Sequence, residues 1–85
     1  MNLDHLLINE KIKAYIQQNA YVDKDKIHNN SLIFKEGYFD SMGFIMLITF
    51  IEEEFKIKTI DTDLIEANFE SINAITEFVA RKIQE

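Results

Sequence analysis

The hydroxyl group of Ser41 is the side chain of this sequence best suited to carry a covalently attached group. Ser41 follows Asp40 at the point where a polar, turn-favouring segment gives way to an amphipathic helical pattern. At a helix start, unpaired backbone N–H groups and the positive end of the helix dipole favour a phosphate. An Asp-Ser pair at such a position is more often simply a helix cap. From these two residues alone, a cap and an attachment site both remain open.

The rest of the chain offers little chemistry of its own. The sequence contains no cysteine, so it forms neither disulfides nor thiolate metal sites, and the protein has no thiol of its own for chemistry. The two histidines, His5 and His28, are far apart, and we expect them to be surface or loop residues rather than zinc ligands. No general base stands near Ser41 in the sequence, which argues against a hydrolase. We therefore predict neither a catalytic residue nor a metal site.

The negative charge of the chain is concentrated in one segment. Residues 40–70 contain eight acidic and two basic residues and account for the whole net charge of −6. Such a segment would repel nucleic acid. It would attract and steer a protein partner with a basic surface.

The length of the chain indicates a single domain over residues 1–85. A domain of this size buries only about 60% of the surface that its unfolded chain exposes, which leaves little for a deep active site. No apolar stretch approaches the roughly 18 residues that a membrane span requires. The N-terminus lacks the basic region of a signal peptide, so we expect a cytoplasmic protein without membrane contact.

The spacing of apolar residues predicts four α-helices joined by one long connection. The predicted helices run from about Asn2 to Gln18, from Ser41 to Phe55, from Asp61 or Thr62 to Asn68, and from Ser71 to Ile83. Residues 19–40 form the long connection, which contains turn-favouring residues but also apolar residues that must be buried. Either Asp40 or Ser41 would cap the second helix, and Ser71 would cap the last. The predicted fold class is all-α, a four-helix bundle with a short third helix.

Apolar residues three or four positions apart define the helix faces expected to form the core. On the first helix these are Leu3, Leu6, Leu7, Ile12, Ala14 and Ile16. On the second helix they are Phe44, Leu47, Ile48, Ile51 and Phe55. On the last helix they are Ile72, Ile75, Phe78, Val79 and Ile83.

The segment from Gly37 to Met42, which reads Gly-Tyr-Phe-Asp-Ser-Met, resembles the signature of the acyl carrier protein family. In that family an Asp-Ser-Leu or Asp-Ser-Met triplet opens the second helix. The similarity continues along the acidic-ended second helix to Phe55, then through Ile60–Leu64 and Phe69–Ile72. It covers about residues 31–83, whereas the first helix agrees with the family only in length and pattern.

The resemblance implies that a phosphopantetheinyl transferase attaches 4′-phosphopantetheine from coenzyme A to Ser41. It also implies that Asp40 helps the transferase to engage the site. The thiol of the arm would then hold an acyl or aminoacyl group as a thioester. A loading enzyme and a downstream transferase or synthase would be the further partners of a monomeric carrier that catalyses nothing itself. The alternative is a helical interaction module that keeps the bundle but is never modified.

The second helix also offers candidate partner-binding residues. Met42 and Met46 lie off the predicted core face, and they either tuck under the long connection or form an exposed apolar strip beside Ser41. We favour the strip, because this helix is the main docking surface in carrier proteins. Glu53, in the run of acids at residues 52–54, would supply the electrostatic half of that surface.

The same helix departs from the form most familiar in the family, where an acid often follows the triplet. Gly43 stands there instead, and no acid lies between Ser41 and Ile51. This difference argues against ordinary fatty-acid synthesis, whose enzymes meet an acidic helix with basic patches. It favours a specialised pathway, such as polyketide synthesis, nonribosomal peptide synthesis, or aminoacyl transfer such as D-alanine loading.

Overall fold

Four α-helices and two short 3₁₀ turns account for the regular structure in residues 5–84, the part of the chain that the computed structural model describes. The helices are α1 (His5–Asn19), α2 (Ser41–Phe55), α3 (Glu66–Phe69) and α4 (Ile72–Ile83). The 3₁₀ turns are Lys24–Lys26 and Asp61–Asp63. No strand occurs within these residues. The predicted all-α bundle of four helices is confirmed, and the prediction of one domain over residues 1–85 stays a prediction.

Helix α2 begins and ends at the predicted residues. Asp40 is its N-cap, with extended backbone angles, and the Asp40 side chain accepts a hydrogen bond from the Gly43 N–H. The cap left open by the sequence is therefore Asp40, and Ser41 is the first helical residue. The helix ends where Lys56 adopts left-handed backbone angles, with φ of 57°. The predicted core face is also confirmed, since Leu47, Ile51 and Phe55 are buried and Phe44 and Ile48 pack against them.

The core face predicted for α1 is partly wrong. Ile8, Ile12 and Ile16, four positions apart, are fully buried and pack towards α4. Leu6 is 67% exposed and Leu7 39% exposed, and Ala14 is also exposed. Isoleucines at a strict spacing of four form one narrow stripe, and Leu6 and Leu7 lie outside it, in solvent. The predicted core residue Leu3 and the start of the helix at Asn2 lie outside the described residues.

The predicted third helix is divided into two pieces. The 3₁₀ turn Asp61–Asp63 comes first, and α3 starts only at Glu66. Between them, Leu64 and Ile65 have non-helical backbone angles. The Asp63 carboxylate accepts hydrogen bonds from the Ile60 N–H at 3.0 Å and from Lys82 Nζ of α4 at 2.9 Å. This side chain closes the turn and ties it to α4, so the turn and α3 remain separate.

Helix α4 lies at the centre of the packing, in contact with the other three helices. Ser71 Oγ accepts a hydrogen bond from the Ala74 N–H at 3.1 Å, which confirms the predicted cap. Four residues of the predicted apolar stripe are buried, namely Ile72, Ile75, Phe78 and Val79. The fifth, Ile83, is partly buried.

The long connection between α1 and α2 is held to the bundle by its own apolar residues. Ile27, Ile33 and Phe39 are buried. The Ile33 N–H donates to the Glu70 carbonyl at 3.0 Å, and the Ile33 carbonyl accepts from the N–H groups of Tyr38 and Phe39. The connection therefore delivers residues 38–41 to a defined place at the start of α2.

Candidate functional site

Ser41 is an exposed residue at the N-terminus of α2. Its hydroxyl group forms no hydrogen bond with any other residue in the described part of the chain. The capping function belongs to Asp40, so the Ser41 oxygen is not needed to hold the helix together. Such a hydroxyl is accessible to a modifying enzyme, and its position at a helix start suits a bound phosphate.

Both carboxylate oxygens of Asp40 are engaged within the chain. Oδ1 accepts from the Gly43 N–H at 2.9 Å, and Oδ2 accepts from the Tyr21 hydroxyl, also at 2.9 Å. These hydrogen bonds, above all the one from Gly43, lower the pKa of Asp40 below its ordinary value. Asp40 is therefore ionised at neutral pH. The sequence did not predict Tyr21 as part of this site, since it lies 19 positions from Asp40.

An open, largely apolar cleft of about 510 Å³ lies directly beside Ser41. Its lining comes from α2, from the end of the long connection and from residues 64–69. Phe44 stands in its wall, edge-on to Phe34 at 5.5 Å and to Phe69 at 5.3 Å between ring centroids. The cleft offers cover to an apolar group tethered at Ser41.

The sequence did not predict this cleft or which phenylalanines line it. Phe44 and Phe69 both line it, but Phe50 does not. Phe50 instead stacks on Tyr15 of α1, with ring centroids 4.2 Å apart. The apolar pattern of the sequence indicates only that these rings lie near the core. Whether a given ring lines the cleft or packs inside the core depends on the path of the connecting segments.

Met42 and Met46 are exposed, at 62% and 53%, which settles the choice between a buried and an exposed position in favour of the strip. Ile45, which the sequence analysis did not single out, is 58% exposed and lies between them, and it also lines the cleft. Across the cleft, Ile65 adds further exposed apolar surface. Contiguous apolar surface of this kind is typical of interaction sites.

The acidic run at the other end of α2 is not one uniform face. Glu52 accepts hydrogen bonds from the N–H and the hydroxyl of Thr59 at 2.9 and 2.7 Å, which lower the pKa of Glu52. Glu54 forms an ion pair with Lys11 of α1 at 2.7 Å. Glu53 is exposed and forms no ion pair with another residue in the range 5–84. Of the three acids, only Glu53 is wholly available to a partner.

Neither histidine belongs to the site. His5 is exposed and lies 3.2 Å from Glu77 of α4, and His28 is exposed in the long connection. Neither residue lines the cleft beside Ser41. Among residues 5–84, no three carboxylate or imidazole side chains are grouped so that they could hold a metal ion. None of the described helices is long and apolar enough to cross a bilayer.

Comparison with known proteins gives the class to which this fold and site belong. Residues 10–79 match the family described as "Phosphopantetheine attachment site". The chain is also 32% identical over 76 residues to an acyl carrier protein of Buchnera aphidicola subsp. Baizongia pistaciae. That alignment covers 89% of this chain and 95% of the relative.

The bundle with a serine at the start of α2 is thus a phosphopantetheine-bearing carrier domain. Within that class, the chain belongs to the acyl carrier protein family, as the resemblance indicated. Its cofactor is 4′-phosphopantetheine, attached covalently. The exposed Ser41 hydroxyl and the apolar cleft beside it fit such a group.

Proposed function

We propose that Ser41 is the residue that carries 4′-phosphopantetheine. In the transfer step, the Ser41 hydroxyl oxygen attacks the phosphorus that bears the pantetheine of coenzyme A. The bond from that phosphorus to the bridging pyrophosphate oxygen breaks, 3′,5′-ADP leaves, and a base of the transferase takes the serine proton. The exposure of Ser41, its free hydroxyl and its place at a helix start support this assignment.

The protein acts as a carrier and contributes no catalysis of its own. The bound arm supplies the thiol that the sequence lacks, and that thiol holds an acyl or aminoacyl group as a thioester. The cleft formed by Phe44, Phe69 and their neighbours covers part of an apolar cargo. Burial there removes apolar surface from water and protects the cargo until a partner takes it. A monomer in the cytoplasm, where coenzyme A is available, is part of this proposal.

The partner surface combines the apolar strip with the free acid further along α2. Met42 and Met46 supply adaptable apolar contacts beside the attachment site, and Glu53 steers a basic partner towards it. The partners on this surface are the phosphopantetheinyl transferase, the enzyme that loads the cargo, and the downstream transferase or synthase.

A specialised pathway fits this surface better than ordinary fatty-acid synthesis. The exposed face of α2 next to Ser41 is apolar, and no acid lies between Ser41 and Ile51. A partner that docks there needs a complementary apolar patch rather than a basic one. Polyketide synthesis, nonribosomal peptide synthesis and aminoacyl transfer, such as D-alanine loading, use dedicated carriers of this kind. Thioester formation on the arm with each class of loading enzyme distinguishes them.

One experiment tests the central assignment. The purified protein is incubated with coenzyme A and a broad-specificity phosphopantetheinyl transferase and then weighed by mass spectrometry. We expect the mass of one phosphopantetheine to be added to the wild type and to the control Ser31→Ala, and none to Ser41→Ala. Addition to Ser41→Ala would show that another residue carries the arm. A folded wild type that gains nothing would favour the alternative, an unmodified helical interaction module.

A further inference from the structure

Two hydrogen bonds tie Tyr21 to the segment that leads into α2. The Tyr21 N–H donates to the Tyr38 carbonyl at 3.0 Å, and the Tyr21 hydroxyl donates to Asp40 Oδ2 at 2.9 Å. Tyr21 lies two residues beyond the end of α1. The two hydrogen bonds reach the residues on either side of Phe39, whose side chain is buried. The segment just before Ser41 is therefore held in place by the hydrogen bonds from Tyr21 and by the burial of Phe39.

The Asp40 carboxylate is restricted as a result. Oδ1 is bound by the Gly43 N–H and Oδ2 by Tyr21, so rotation of the carboxylate would break one hydrogen bond or both. A carboxylate has about four lone-pair positions, and two remain here for an external ligand. Asp40 is exposed, so these positions are accessible beside the Ser41 hydroxyl.

The fixed orientation of the Asp40 carboxylate matters for the transfer of phosphopantetheine to Ser41. Coenzyme A brings a pyrophosphate, and Asp40 adds a further negative charge next to the attacking oxygen. The transferase must therefore supply cationic groups here, and the Asp40 carboxylate is a ligand for them. A carboxylate already held in one orientation loses less conformational freedom on binding than a mobile one.

We propose that Tyr21 is a positioning residue for the loading of Ser41. Its hydroxyl group holds the Asp40 carboxylate in the orientation that the transferase binds. Tyr21 touches neither the attacking oxygen nor the incoming phosphate, and it acts through Asp40. The proposal rests on the proposed function of Ser41 as the attachment residue.

The chain contains a matched control in Tyr38. The Tyr38 hydroxyl also donates to a carboxylate in the same connection, Glu36 Oε1 at 3.1 Å, but Glu36 is not next to Ser41. Steady-state loading with coenzyme A and a phosphopantetheinyl transferase is measured for Tyr21→Phe and Tyr38→Phe. We expect Tyr21→Phe to raise KM for the carrier by about 3- to 10-fold, the range of one hydrogen bond, with kcat nearly unchanged. Tyr38→Phe should load like the wild type.

Two further measurements separate positioning from a general loss of structure. Asp40→Ser keeps a capping oxygen but removes the carboxylate, and in that background Tyr21→Phe should have no additional effect on KM. By NMR titration, the pKa of Asp40 should rise in Tyr21→Phe, because a hydrogen bond to the charged form is lost.

The outcomes are distinguishable. Wild-type loading kinetics in Tyr21→Phe would overturn the proposal, and so would equal losses in the two tyrosine variants. If Tyr21→Phe failed to fold, normal loading of Asp40→Ser would overturn it instead, whereas a raised KM would support it. A wild-type protein that is never loaded would count against the proposed function of Ser41 itself.

Discussion

The two ends of α2 expose different kinds of surface. Near Ser41, the outer face is apolar, with Met42, Ile45 and Met46 each more than half exposed. Near the C-terminus, the outer face is acidic, and Glu52 and Glu54 are engaged within the chain. The apolar residues therefore have more surface to offer a partner than the more conspicuous run of acids.

Glu52 and Glu54 are engaged within the chain because of the helix dipole and of the contacts available near the end of α2. Negative side chains are disfavoured near a helix C-terminus. The bonds from Thr59 to Glu52 and from Lys11 to Glu54 compensate for this placement. Glu52 thus connects α2 to the segment 57–60, and Glu54 connects α2 to α1. This leaves a smaller electrostatic contribution to docking than the sequence suggested.

The apolar end of α2 should be the most sensitive to substitution in function. Met46→Asp places a charge in the exposed strip and should lower kcat/KM for a loading enzyme about tenfold, through lost apolar contact and desolvation of the new charge. Its free energy of unfolding should change by less than about 0.5 kcal/mol, since Met46 is more than half exposed.

The control for this prediction is Met46→Leu, which keeps an apolar side chain and should support near-normal loading. Denaturant unfolding and loading kinetics are measured on the same samples. A Met46→Asp protein that unfolds easily would show that this face of α2 is part of the core. Normal loading by all partners would place the docking surface elsewhere.

The acidic end should instead show its largest effect on stability. Glu52→Ala leaves the Thr59 N–H and hydroxyl without their acceptor and should lower the free energy of unfolding by about 1 to 2 kcal/mol. Glu53→Ala is the matched control and should change it by less than about 0.5 kcal/mol. Equal losses in the two variants would mean that the bond to Thr59 contributes nothing in solution.

Acid unfolding of the same variants sharpens the contrast. The pKa of Glu52 is lowered in the folded protein by its hydrogen bonds from Thr59, whereas an unfolded glutamate has a pKa of about 4.3. The stabilisation is therefore complete above that pH and is lost as the pH falls through the folded-state value. We expect the stability difference between wild type and Glu52→Ala, measured by denaturant unfolding, to shrink below about pH 4.3. An undiminished difference at lower pH would assign the loss to packing instead.

The smallest effect is expected at Glu53. Glu53→Gln should slow association with a basic partner by a few-fold at low salt, and the difference should fade as the ionic strength rises. Stopped-flow association rates at two salt concentrations measure it. Glu54→Gln is the comparison variant, because Glu54 is already paired with Lys11. A larger effect from Glu54→Gln than from Glu53→Gln would reverse the assignment.

Local features of the fold were predictable because they depend on neighbouring residues. The bounds of α2, its core face and the Ser71 cap follow from side-chain spacing and from groups within one helical turn. The core face of α1 was predicted less well, since several apolar stripes are possible on a helix in which Leu6 and Leu7 directly precede Ile8. Packing against α4 selected the isoleucine stripe.

At the site, the amino-acid sequence by itself determined that a serine follows an aspartate where an amphipathic helix begins, because these residues are adjacent, whereas the structure showed that the aspartate is the cap. Only the tertiary structure decided that Tyr21 reaches Asp40, that Glu52 turns back to Thr59, and that an apolar cleft opens beside Ser41. Such contacts join residues far apart along the chain or on different elements. Their formation depends on the path of the connecting segments, which is settled by burial of the whole apolar set at once.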